Sequence, residues 1–244
     1  MKGEVAGVPA DVVVGLRRLG VATVYEASGR RGLVDAPLER VVPGSRVAGP
    51  ARTVLCGQGD NLAVHAALAR VQRGEVLVLA MPEPEPVALV GEVIAVQAKV
   101  RGAAGLLIDG AIRDADELSE LGLPVWARFV RARGAAKEKA GALDVPVSVG
   151  GVRVEPGDVV VMDADGAVVV PAGRAEEVLE AGRRREADEA AMMDELRAGA
   201  LTLDLMGLRE KLGDEGARAA PMDRSSAAAK RQNAAAPGPA SVGE

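Results

Sequence analysis

Apolar residues recur at helical spacing from Pro9 to about Leu19, and the run stops at Gly20. Thr23 then stands where it would cap a second short helix reaching Ser28. RVAGPARTVLC, residues 46–56, reads as a strand interrupted at Gly49-Pro50. Gly59-Asp60-Asn61 opens a helix to about Arg73 with Asp60 as its N-cap, and EVLVLA follows as a strand covered on both faces. The unit recurs twice more loosely: helix 91–101 stops at Gly102 and feeds strand 105–108, and helix 114–121 stops at Gly122 and feeds PVWARFV. Helices alternating with buried strands predict an α/β domain with mostly parallel pairing.

From residue 145 the rhythm changes. VPVSVGGVRVEPGDVVVMDADGAVVVP contains short apolar runs divided by Gly-Gly, Pro-Gly and Asp-Gly turns, which predicts a local antiparallel or barrel-like β layer. Residues 174–198 form a charged helix too polar for a core, placed on the surface or against a neighbouring subunit. The final stretch is rich in Ala, Pro, Ser and Gly and is expected to be disordered. Three segments result: a domain over 1–173, a helix with its extension over 174–216, and a tail over 217–244.

Composition narrows the ligand. With Tyr25, Trp126 and Phe129 as its aromatic residues, the chain offers no stacking platform for single-stranded nucleic acid. Its net charge of -5 argues against a phosphate backbone as partner. Cys56 is the single cysteine, read as a buried strand thiol, so neither a disulfide framework nor a thiolate metal cluster is available. The sequence shows neither a signal-peptide pattern nor an apolar stretch of membrane-spanning length, which predicts a cytoplasmic protein without membrane contact.

The chemistry concentrates in GEVIAVQAKVRGAAGLLIDGAIRDADE, residues 91–117. Gly91 at a helix start permits close backbone approach, and the amides of Glu92, Val93 and Ile94 would face an anion. Arg113 and Asp114 follow the buried run LLID at its C-terminal edge, where α/β sheets place ligands. Asp114 has a second reading, because Asp114-Ala115-Asp116-Glu117 is also a capping box. Glu92 could equally serve the helix dipole. Lys99 reads as a snorkelling surface lysine and His65 as a packed or solvated helix histidine, with a pocket-facing position as its alternative.

Glu92, twenty residues, Arg113-Asp114, two residues and Glu117 form a pattern that resembles the class II pyruvate aldolases acting on 4-hydroxy-4-methyl-2-oxoglutarate and 4-carboxy-4-hydroxy-2-oxoadipate. VAGPARTV, GDNLAVHAALA, GAAGLLIDGAIRD, RGAAKEKAG and PGDVVVMDADGAVVVP resemble family segments in the expected order, covering roughly residues 10–216. The resemblance implies an α/β/β layered domain of the swivelling phosphohistidine-like type with a C-terminal helical extension, assembled as a homotrimer or homohexamer with its site at a subunit interface. It implies Asp114 as the direct ligand of Mg²⁺ or Mn²⁺, Arg113 facing the pyruvyl oxygen, and Gly91, Glu92, Val93 and Ile94 holding the pyruvate carboxylate. Glu92 stands where some members carry aspartate. LRAGALTLDLMGLREKLGDEG resembles the extension of the carboxy-hydroxy-oxoadipate enzymes, and Glu189, with Glu186 as second choice, is the acid implied to reach a neighbouring subunit's site. Small 2-oxo acids are the implied substrates, with oxaloacetate decarboxylation as a side activity. The rival expectation is a non-catalytic protein-binding regulator resembling the regulator of ribonuclease activity A.

Overall fold

The computed structural model describes residues 7–216. The chain divides into two compact units, 1–186 and 187–244. The fold below is that of the first unit, and the tail expected to be disordered lies outside the described residues.

A sheet runs through this unit in the order β1-β6-β5-β3-β2-β10-β11. Its parallel centre consists of β2 (Val47–Leu55), β3 (Val76–Ala80), β5 (Gly105–Ile112) and β6 (Val125–Val130), all rich in branched apolar residues as a doubly covered sheet requires. The short β1 (Glu39–Arg40) closes one edge antiparallel to β6. At the other side, β10 (Val159–Asp163) and β11 (Gly166–Val170) form an antiparallel hairpin. A small separate hairpin joins β8 (Val147–Val149) and β9 (Val152–Val154) across Gly150-Gly151, both at positive φ. The antiparallel layer expected from the sequence is therefore present.

The predicted interruption at Gly49-Pro50 is instead a change of partner within one continuous strand. Residues 47–50 of β2 pair with β10, and residues 51–55 pair in parallel with β3. Proline lacks an amide, and it falls at the changeover. The strand expected at 105–108 runs on to Ile112, because Asp109-Gly110 forms a register irregularity rather than a stop. There the buried Asp109 pairs with Arg128 at 2.5 Å. Beyond it, β4 (Ala88–Val90) takes up the pairing with β5.

Three apolar clusters order the layers. Helices α2 (Leu62–Leu68), α3 (Glu92–Arg101) and α4 (Ala115–Leu121) pack Leu68, Ala95 and Leu118 onto Leu77, Ile108 and Ile112. On the opposite face, Val76, Val78, Leu107 and Trp126 meet Val160, Met162, Val169 and the β8–β9 hairpin. A third cluster joins Val161 and Val168 to α1 (Ala10–Ala27) and the start of α5 (Ala175–Arg197). This is a mixed α/β unit whose parallel sheet has helices on one face and a β layer on the other.

Two helix ends differ from the sequence reading. Helical geometry does break at Gly20 (φ 82), but the next segment is capped by a distant carboxylate: Val21 N donates to Asp163 Oδ2 at 3.0 Å. The helix expected to reach Arg73 stops at Leu68, after which Glu75 receives Gln72 N at 2.7 Å and binds Arg52 through both carboxylate oxygens.

Candidate active site

The C-terminal ends of β4 and β5 deliver two segments to one place. Arg113 N donates to Val90 O at 3.0 Å, so the residues after β5 lie beside the start of α3. Asp114 occupies the cap position of α4 but adopts a left-handed backbone (φ 56, ψ 48) and makes no side-chain hydrogen bond to that helix. The capping box is therefore not formed. Its carboxylate turns instead to the neighbouring helix, where Oδ2 accepts from Glu92 N at 2.9 Å. Arg113 Nε lies 3.7 Å from the same oxygen, with both side chains partly exposed. An aspartate at positive φ is uncommon, and such conformations concentrate at ligand sites.

A cavity of about 250 Å³ opens here. Gly91, Val93, Ile94, Arg113 and Asp114 line it; the Glu92 side chain is exposed and does not. Glu92 contributes its amide, already taken by Asp114, which leaves the amides of Val93 and Ile94 as the first-turn donors open to an anion. Arg113 and Lys137 face a single acid, Asp114, so the wall suits carboxylate ligands.

Lys137, Gly134 and Ala135 belong to an irregular strap, residues 131–141, between β6 and β7 (Ala142–Leu143). Asn61 and His65 complete the wall from α2 and the residue preceding it. Asn61 Nδ2 donates to Leu89 O at 3.0 Å, while Asn61 Oδ1 and His65 Nε2 are buried without a partner among the described residues. His65 is thus a cavity residue rather than a merely packed or solvated one. Its spacing from Asn61, one helical turn, was the sequence signal for both; nothing in the sequence placed the strap here.

Other sequence candidates have different employment. Lys99, exposed on α3, donates through Nζ to Leu121 O at the end of α4 at 2.5 Å. Glu186 is paired with Arg18 at 2.7 Å. Glu189 lies in the second unit, exposed on α5. Cys56 is buried just past β2, and burial, reinforced by the Asp60 charge, pushes its thiol up to about 12.

The donor set also limits any cation. Among the described residues no group of three or more His, Cys, Asp or Glu gathers as a metal cluster. One carboxylate, with an oxygen making no hydrogen bond within the described chain, fits a hard ion that fills its remaining positions with water and ligand oxygens. Asp114 is the residue able to hold it.

The chain is similar to known proteins over most of its length. A protein of Halalkalibacterium halodurans, provisionally named 4-hydroxy-4-methyl-2-oxoglutarate aldolase, is 33% identical over 202 residues, 83% of this chain and 94% of that one. The crystal structure of Streptomyces coelicolor RraAS2, described as an unusual member of the RNase ES inhibitor RraA family, is 34% identical. It matches with a TM-score of 0.68 over 77% of this chain and 99% of its own. An uncharacterized protein from Pseudomonas syringae pv. tomato superposes with a TM-score of 0.74 at 26% identity, covering 82% of this chain and 95% of that one. Residues 21–169 match the RraA-like family, described as Aldolase/RraA, and the chain belongs to that family.

Proposed function

We propose that the chain is a divalent-metal-dependent aldolase. It cleaves 4-carboxy-4-hydroxy-2-oxoadipate or 4-hydroxy-4-methyl-2-oxoglutarate to pyruvate and a second 2-oxo acid, with oxaloacetate decarboxylation as a side activity. The observation that carries this reading is Asp114, held at positive φ with its carboxylate turned from its own helix toward the Gly91 turn beside Arg113. A structural cap would have no use for that conformation.

In this reading the Val93 and Ile94 amides receive the pyruvyl carboxylate, and Gly91 lets it approach the backbone. Arg113 faces the oxygen on which negative charge develops as the C3–C4 bond breaks, the placement that lowers such barriers most. Asp114 holds Mg²⁺ or Mn²⁺, which when bound polarises the 2-oxo group. A neighbouring subunit's Glu189 supplies a further acidic group for proton handling, while Glu92, whose side chain lies outside the cavity, acts through its amide on Asp114. The homotrimeric or homohexameric assembly in this reading is supported by α3, whose Val93, Val96 and Val100 are 80%, 40% and 81% exposed along one stripe. The reading further takes the phosphohistidine-like layering from the family resemblance and a cytoplasmic location from the sequence pattern.

A lactate-dehydrogenase-coupled assay for pyruvate, run with Mg²⁺ and then with chelator, tests the proposal. Metal-dependent pyruvate from either aldol or from oxaloacetate is expected; its absence from all three refutes the enzyme. The similarity to RraAS2 favours a second reading, a protein-binding regulator. An inactive chain that inhibits a ribonuclease would establish it.

A further inference from the structure

Asp60 has no exposed surface, and its carboxylate is divided between two segments of chain. One oxygen accepts from Leu62 N at 2.8 Å, a local turn leading into α2, whose cap position is Asn61 rather than the expected Asp60. The other accepts from Glu138 N at 2.6 Å and Lys139 N at 3.0 Å, both on the strap. Around this point the backbone is stitched as well: Asn61 N donates to Ala136 O at 3.0 Å and Ala136 N to Gly59 O at 2.9 Å. Farther along, Ala88 N donates to Arg133 O at 2.7 Å, which leaves Gly134 against Arg113. The strap has little apolar anchorage of its own, since its residues other than Ala135 are exposed. Polar bonds therefore fix its position, and Asp60 supplies two from a single buried oxygen.

We infer that Asp60 is a positioning residue: it latches the strap so that Gly134, Ala135 and Lys137 form a fixed wall of the cavity for the part of the substrate beyond its pyruvyl end. This rests on the aldolase reading for the identity of the ligand, while the latch itself rests on geometry alone. The pyruvyl end meets the Gly91 turn, whose hydrogen bond to Asp114 does not involve the strap. Burial raises the Asp60 pKa, and the amides of Glu138, Leu62 and Lys139 more than offset it, so the carboxylate stays ionised below its ordinary range.

The test is Asp60→Asn in the full chain. An amide cannot accept at both oxygens, so one face of the side chain opposes an N–H. Hydrogen exchange of amides 134–139 should accelerate at least tenfold while β3 and β5 keep their protection. The aldol KM should rise at least tenfold with kcat within about threefold. Glu138→Pro, which removes one donor and leaves Asp60 intact, should reproduce part of both changes and covers the case of an Asp60 variant that does not fold. Wild-type exchange in the strap of either folded variant overturns the latch. Faster exchange with an equal loss of kcat and no change in KM overturns the wall. Because exchange is read without turnover, an inactive wild-type protein counts against the aldolase and leaves the latch decided.

Discussion

Replacing Gly91 by alanine separates the backbone requirement of the site from its spatial one. Gly91 has φ -134 and ψ -171, extended geometry open to any residue, so the change introduces no backbone strain. The added Cβ would instead lie 2.5 Å from Asp114 Oδ2 and 3.0 Å from Arg113 Nε. Ordinary contact begins near 3.4 Å, so the carboxylate must retreat by close to an ångström. Both obstructing groups belong to flexible, partly exposed side chains and can move at little cost to folding. The retreat breaks the 2.9 Å bond from Glu92 N, which for a partly exposed carboxylate is worth about 1 kcal/mol. For a chain of this size that lowers Tm by about 2–4 °C. Activity suffers more, since a displacement of about 1 Å at reacting groups costs roughly a hundredfold, or about 2.7 kcal/mol. The coupled pyruvate assay with excess Mg²⁺, together with a thermal melt, reads both numbers. An alanine variant within threefold of wild-type kcat/KM would refute the steric argument, and a Tm loss above 10 °C would show that Gly91 is needed for folding.

Asp114→Ala should abolish metal-dependent pyruvate release while leaving a folded oligomer by scattering and circular dichroism; unfolding would instead make Asp114 a structural tether of α3 through Glu92 N. Arg113→Ala should lower kcat by about 2.7–4 kcal/mol, the range for losing one oxyanion donor, and an effect confined to KM would contradict its role. Cys56 should resist thiol reagents in the native protein and react on unfolding. Its folded pKa of about 12 exceeds the ordinary 9.0, so its stabilising contribution is complete below pH 9 and is lost as pH rises toward 12. Urea melts across that window, compared with Cys56→Ala, measure it.

The parallel core was legible because apolar runs such as VLVLA in β3 and LLI in β5 alternate with helices, and the Gly-Gly and Asp-Gly turns announced both hairpins. The cavity's Gly91, Val93, Ile94, Arg113 and Asp114 were legible too, through their place at strand and helix ends. What escaped was partner choice. Asp114 satisfies a local capping motif perfectly well on paper, and only the fold brings Glu92 N, twenty-two residues away, within reach. Pro50 interrupts any single ladder, and only the fold shows that β2 has two successive partners. Asp60 reads as a cap, but the cap position of α2 falls to Asn61, and one oxygen of Asp60 answers to amides some eighty residues later.

That divided strand also constrains the order in which the chain folds. The parallel half of β2 finds β3 within a short stretch of chain, as Ala51 pairs with Val76, but Pro50 must wait for Val159. Contacts so far apart in sequence slow folding. During synthesis the first four residues of β2 remain an open apolar edge until nearly the whole first unit has emerged, and such edges recruit other strands. A chain ending before residue 158 is therefore expected to aggregate through the N-terminal half of β2, with its parallel core already formed.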